Sequence, residues 1–382
     1  MILPLPSGEK LSLRRVVIKL GTKQITDTRQ LNEENIERLI DEVMRLRQQG
    51  VQCVLVVSGA IGMARYAMGM GEREFTLAEK QALAGVGQGL LMSFFAEKFQ
   101  KRKTWIGQVL LTHYIFDNRK TYLNARNTLN TMLEMGIIPV INENDSVATD
   151  EIQFGDNDRL GAYVSVMVGA DLYIMLTDID GLYAYFGTPQ QRLIPVVRGI
   201  QQVARYAQKQ QENFSRGGMI TKLQAAKITT TAGIPAVIAN GFRPGVLEEI
   251  FGGLQTGTIF LPSGKTINYR KRWISSKKMK GKLVVDQGAK QALLKHKSLL
   301  AAGIVAVEGD FKEGDTVLVV GPEGEEIGLG IVNYESREIE KIKGRKSEEI
   351  AILLGKNKVN TVIHCDNMVL YGEEEYGSYS GD

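Results

Sequence analysis

The chain has 382 residues, 43% of them hydrophobic and 24% charged, with a formal net charge of +4. That is ordinary globular composition, with room for two or three domains and a sizeable core. Two cysteines, Cys53 and Cys365, exclude a disulfide framework, and three scattered histidines offer no zinc cluster. No apolar run is long enough to span a bilayer, and the opening "MILPLPSGEKLSLRR" lacks the pattern of a secretory leader, so a cytoplasmic protein with no membrane partner is expected.

"RRVVIKL" reads as a strand running into "GT". "LNEENIERLIDEVMRLRQQG" is an amphipathic helix, because Ile36, Leu39, Ile40, Val43 and Leu46 recur at helical spacing, with Asn32 placed to cap it and Gly50 to stop it. "VQCVLVV" is a buried strand that puts Cys53 in the core and ends at "SGAIG". "GVGQG", from Gly85 to Gly89, fails the dinucleotide fingerprint: Leu90 stands where the third glycine belongs and no strand precedes it. It reads as helix packing. "WIGQVLLT" is a further strand, a helix is expected from Tyr122 to Met135, and "IIPVI", "LYIML" and "PAVIA" are short apolar strands. "GGMITKLQAAKITTTAG" is a helix between the last two of these.

Continuous apolar strands alternating with helices predict an α/β domain with a parallel or mostly parallel sheet covered on both faces. The texture changes near Arg270. "NYRKRWISSKKMKGK" is a basic linker, and "KLVVD", "GIVAVEGD", "DTVLVVG", "EIGLGIVNY" and "TVIHC" are short strands with one helical stretch, "QGAKQALLKH". That predicts a small β-rich domain. The expected division is an extension at 1–12, the α/β domain at 13–272, the linker at 273–280, the β-rich domain at 281–371 and an acidic tail at 372–382. From Lys265 to Lys297 there are eleven Lys and Arg against one acid, Asp286.

In open α/β sheets ligands bind beyond the carboxyl ends of the strands. Here those ends carry Lys19 with Gly21, Ser58 with Gly59, the acidic stretch "NENDSVATDEIQFGDND", Thr177 with Asp178, and Asn240 with Gly241. The set suits phosphoryl transfer. A lysine beside a glycine reaches phosphate oxygens, and "SGAIG" and "RGGMITK" present helix starts with unpaired N–H groups, the second with Lys222 in its first turn. "SGKT" at Ser263–Thr266 is not a P-loop, because the required upstream glycine is Ile259.

The stretches "VVIKLGT", "VSGAIGMA", "PVINENDSVAT", "FGDNDRLGA", "LTDIDGLY", "GGMITKLQAA" and "NGFRPG" resemble the amino acid kinase family, and "KGKLVVDQGAKQAL" and "GDTVLV" resemble a PUA domain. "INEND" followed by "GDND" is similar to the glutamate-phosphorylating branch rather than to the acetylglutamate, aspartate, carbamate or UMP kinases. The resemblance implies the amino acid kinase fold, an αβα sandwich with a mostly parallel sheet, plus a β-rich PUA domain. It implies ATP with Mg²⁺, and phosphorylation of the L-glutamate γ-carboxylate at the start of proline biosynthesis, a sister kinase acting on acetylglutamate or aspartate being the alternative. Lys19 and Lys222 would stabilise the transferring phosphoryl group and Asp158 would hold both lysines. Ser58, Asp145 and Asn157 would bind glutamate, with Asn142 and Asp156 beside them. Thr177, Asp178 and the stretch Arg216, Gly217, Gly218, Met219, Ile220, Thr221 and Lys222 would bind ATP along with Lys19. Free proline is the implied feedback inhibitor, a homo-oligomer (dimer or tetramer) the implied assembly, and RNA an added partner for the PUA domain. The segment after Tyr183, "AYFGTPQQRLIP", departs from the family by lacking "DPR", and Arg216 stands where many members have a small residue.

Overall fold

A computed structural model describes residues 1–4, 10–26, 30–71, 73–112, 114–117, 119–147, 157–200, 203, 206, 218–253, 256–262, 279–345, 349–350 and 361–371. Two compact units divide between Pro262 and Ser263.

The first unit contains, in chain order, β1 (Ile2–Pro4), β2 (Lys10–Ser12), β3 (Arg15–Leu20), α1 (Thr22–Ile25), α2 (Glu33–Gln48), β4 (Gln52–Val57), α3 (Ala60–Ala67), α4 (Leu77–Gln100), β5 (Ile106–Leu111), α5 (Tyr114–Asp117), α6 (Arg119–Glu134) and β6 (Ile138–Glu143). It continues with α7 (Asn157–Val168), β7 (Leu172–Thr177), β8 (Tyr183–Ala184), β9 (Arg192–Leu193), β10 (Val196–Val197), α8 (Met219–Thr231), β11 (Ala236–Asn240), α9 (Val246–Phe251) and β12 (Thr258–Phe260). β1 and β2 pair antiparallel, with Leu3 buried.

Eight strands form one sheet in the order β10-β12-β11-β7-β3-β4-β6-β5. All neighbours are parallel except β11 and β12. The central strands are continuous runs of Val, Ile and Leu, which fits a sheet buried on both faces. Parallel pairing with Lys19 opposite Val56 and Met175, and Asn240 opposite Thr177, brings the carboxyl ends of β3, β4, β7 and β11 to one rim.

Helix α2 buries Ile36, Leu39, Ile40, Val43 and Leu46, the face its periodicity predicts. Gly50 follows it at φ +82°, the left-handed residue that stops it. Asn32 sits at the cap position, but its side chain donates to Lys23 O instead of capping. Helix α4 starts with a capping box: Thr76 Oγ1 accepts from Glu79 N, and the Glu79 carboxylate accepts from Thr76 N. Helix α7 is buried along almost its whole length and packs on β3, β4 and β7.

The second unit contains β13 (Met279–Val285), α10 (Gln287–Leu294), β14 (Ile304–Glu308), β15 (Thr316–Val320), β16 (Glu326–Ile331), α11 (Ser336–Ile342) and β17 (Met368–Leu370). The sheet order is β14-β13-β15-β16-β17, parallel only between β13 and β15. Asp286 caps α10 by accepting from Ala289 N.

Two details differ from the sequence reading. "TVIHC" is not a strand: Ile363 makes only an isolated bridge to Leu299, and the edge strand is β17. Helix α11 is a second helix, closed by a Glu335–Glu338 capping box and burying Ile339 and Ile342. Of the basic run, Lys282 pairs with Glu308 and Lys290 with Glu325. Residues 263–278 of that run lie outside the described residues.

Candidate active site

Three elements converge on one buried carboxylate. Lys19 stands one residue before the end of β3, Asp158 in the first turn of α7, and Lys222 in the first turn of α8. Lys19 Nζ lies 2.7 Å from Asp158 Oδ1, and Lys222 Nζ lies 2.9 Å from Asp158 Oδ2. Their side chains are 7%, 3% and 11% exposed for Lys19, Asp158 and Lys222. The Thr221 hydroxyl also sits 3.0 Å from Asp158 Oδ2. Burial alone would raise the Asp158 carboxyl, but the two ammonium groups outweigh it and hold the group far below the usual carboxylate range. Two cations share one anion, so the cluster carries a net positive charge in a place shielded from water. An anionic group arriving there gains far more than it would at a solvated surface.

The backbone under this clamp is fixed. The Tyr173 hydroxyl, from β7, donates to Asp158 O at 2.8 Å. Gly161, one turn along α7, makes room for that ring: a Cβ there would fall 2.4 Å from the Tyr173 oxygen. Beyond the end of β4, Gly59 precedes α3 at φ +104°, a conformation that strains any residue with a side chain.

Beside the clamp lies a cluster of amides. Asn157 Nδ2 is within 2.9 Å of Ser58 Oγ, 2.9 Å of Asn142 Oδ1 and 3.0 Å of Val57 O. Its two hydrogens serve two of these acceptors at a time. Asn157 Oδ1 is buried with no hydrogen-bond partner among the described residues. Asp145 lies in the turn just after β6 and is half-buried. Ser58, Asn142 and Asn157 therefore gather at the carboxyl ends of β4 and β6 and at the start of α7, with Asp145 two residues past the end of β6.

On the other flank, Thr177 ends β7 and Asp178 follows it. The Asp178 carboxylate is paired with Lys23 at 2.6 Å. Partial burial would raise it, but the Lys23 contact more than offsets that and holds it below its usual value. Gln24 is buried and donates to Thr177 O, and Gly241 N also donates to Thr177 O. Gly218 stands just ahead of α8, with Met219 buried and Ile220 half-buried in its first turn. Asp156, Arg216 and Gly217 lie outside the described residues. Sequence reasoning missed Tyr173, Lys23 and Gln24. The first reads as one more apolar strand residue, and the other two sit in a four-residue helix too short for periodicity to show.

A mostly parallel sheet with a lysine–aspartate–lysine cluster at its carboxyl rim is an arrangement suited to holding an anionic group. Residues 14–240 match the amino acid kinase family and residues 281–354 match the PUA domain. The chain is 44% identical to the glutamate 5-kinase of Trichlorobacter lovleyi over 94% of its own length and 97% of that protein. It is 43% identical to the glutamate 5-kinase of a Thermoanaerobacter species, over 95% of this chain and all of that one. It is 45% identical to the glutamate 5-kinase of a Cyanothece species, over 93% of this chain and 99% of that one. The chain belongs to the amino acid kinase family, in its glutamate 5-kinase branch.

Proposed function

We propose that the protein uses ATP to phosphorylate the γ-carboxylate of L-glutamate, giving L-glutamyl 5-phosphate, the opening step of proline biosynthesis. The observation that carries this reading is the buried clamp of Lys19, Asp158 and Lys222 set next to the amide cluster of Asn157, Ser58 and Asn142. A γ-carboxylate oxygen attacks the γ-phosphorus, the bond from that phosphorus to the bridging oxygen of ADP breaks, and the electron pair leaves with ADP. The carboxylate is already a nucleophile, so the protein has no proton to remove and its work is positioning and charge.

Lys19 and Lys222 neutralise the equatorial oxygens as charge spreads over them. Asp158 keeps the two ammonium groups from repelling one another apart. Asn157 Oδ1 and Asp145 supply acceptors for the substrate ammonium, and Ser58 and Asn142 line the same pocket. Thr177, Asp178 and the stretch from Arg216 to Lys222 take the nucleotide, with Mg²⁺ arriving on it as part of the substrate. Among the described residues no group of three or more His, Cys, Asp and Glu side chains is placed to hold a metal. Feedback inhibition by free proline, a homo-oligomeric assembly and a cytoplasmic location belong to the same proposal and rest on the family. Among the described residues no helix is long and apolar enough to cross a membrane.

The test is hydroxylamine trapping with ATP and a panel of acceptors. Glutamate should give the hydroxamate, while N-acetylglutamate and aspartate give little. A preference for either of the latter moves the protein to a sister activity.

A further inference from the structure

The glycine-rich stretch that failed as a dinucleotide fingerprint lies within α4, and it has a residue the reaction scheme leaves unused. Gly87 lets α4 press against the start of α3: a Cβ there would fall 1.7 Å from Ala60 O. Gln88 follows it and meets β6, where Asn142 Nδ2 donates to Gln88 Oε1 at 2.7 Å. Asn142 Oδ1 meanwhile accepts from Glu143 N and from Asn157 Nδ2, both at 2.9 Å. These contacts fix the polarity of the whole chain of amides. Two donors claim the Asn142 oxygen, so its nitrogen faces Gln88, and Gln88 must answer with its oxygen. The Gln88 Nε2 group is left over, buried and without a hydrogen-bond partner among the described residues. A buried amide N–H with no partner costs about 1–3 kcal/mol, which a ligand acceptor relieves.

We infer that Gln88 is a specificity residue of the amino-acid site, its Nε2–H donating to the non-reacting α-carboxylate of the substrate. The amide chain runs from Asn157, adjacent to the clamp residue Asp158, through Asn142 to Gln88, so Gln88 stands at the end remote from phosphoryl transfer. A dicarboxylate with its γ end at the lysines presents its α end there. This inference rests on the proposed acceptor being an α-amino acid that reacts through its side-chain carboxylate.

Three proteins decide it: wild type, Gln88→Glu and Gln88→Leu, each assayed with glutamate and with its α-amide, isoglutamine, which keeps the γ-carboxylate. Glu at position 88 still accepts from Asn142 but turns an oxygen toward the α end. The Gln88→Glu protein should raise KM for glutamate about 30-fold or more, leave KM for ATP within about twofold, and narrow or reverse the preference for glutamate over isoglutamine. Gln88→Leu, which removes the donor without adding a charge, should raise KM for glutamate and narrow the preference less than Gln88→Glu does. Unchanged glutamate KM in Gln88→Glu, with impairment only in Gln88→Leu, would reduce Gln88 to a prop for Asn142 and overturn the inference. Equal rises in KM for glutamate and ATP would overturn it as well. If wild type instead prefers another amino acid, the glutamate reading falls, and the same comparison on that acceptor and its α-amide tests Gln88 separately.

Discussion

The Tyr173 hydroxyl donates to the main-chain carbonyl of Asp158 across 2.8 Å, tying the strand next to β3 to the turn that carries the clamp carboxylate. Asp158 is thereby held from both sides, its backbone by Tyr173 and its carboxylate by Lys19, Lys222 and Thr221. Tyr173→Phe deletes the backbone tie and keeps the ring. It should cost about 1 kcal/mol of stability in urea denaturation. It should also lower kcat several-fold with both KM values nearly unchanged. Loss of stability with full kcat would mean the tie serves folding alone.

Asp158 also sets an acid dependence. Its carboxyl is depressed in the folded protein, so its stabilising contribution is complete above the usual carboxylate pKa, about 4, and is lost as pH falls below that toward the depressed value. Asp158→Asn leaves two buried lysines without a counter-charge. The stability gap between wild type and Asp158→Asn should be constant from neutral pH down to about 4 and shrink below it. Chemical denaturation at stepped pH measures this, and a gap that widens on acidification would contradict the assignment.

The rim of the sheet is braced by a second buried carboxylate. Glu42, on α2, accepts from Gly245 N at 3.0 Å, Leu247 N at 2.8 Å and Arg38 Nη1 at 2.5 Å. Arg38 also donates to Gly241 O and Arg243 O, so α2 grips the loop that follows β11. Glu42→Ala strands the buried Leu247 N–H and the half-buried Gly245 N–H and removes the Arg38 ion pair, and should cost about 3 kcal/mol in urea denaturation. Glu42→Gln, which keeps an acceptor oxygen, should lose less than half of that.

Cysteine chemistry offers a simple check on burial. Cys53 lies inside β4, and burial pushes its thiol up to about 12. In the native protein at pH 8, iodoacetamide should modify Cys365 and spare Cys53, with both labelled after unfolding. Mass spectrometry of the peptides reads this directly. Because the folded pKa is raised, the Cys53 contribution is complete below the unfolded thiol pKa and is lost as pH rises from there toward 12.

The two lysines of the clamp were legible from local pattern, Lys19 at a strand end beside a glycine and Lys222 in a helix start after two glycines, whereas Asp158 came only from the family resemblance of "GDND". The mostly parallel sheet was legible because its strands are unbroken apolar runs. Gln88 was not, since its partner Asn142 is 54 residues away and only the packing of α4 through Gly87 brings them together. Tyr173 was hidden because a buried strand conceals which of its side chains ends in a hydroxyl pointed at a neighbour. The reversal of β12 leaves no mark in three buried residues, and α11 is too short for its period to stand out between turns.

The central claim is that the two lysines sharing Asp158 perform phosphoryl transfer. The most direct measurement is kcat for Lys222→Ala in the hydroxylamine assay, with the fold verified by circular dichroism and thermal melting. Loss of a charge donor from a buried transition-state site predicts a fall of at least about 100-fold in kcat with the protein still folded. A folded Lys222→Ala protein turning over near the wild-type rate would contradict the account.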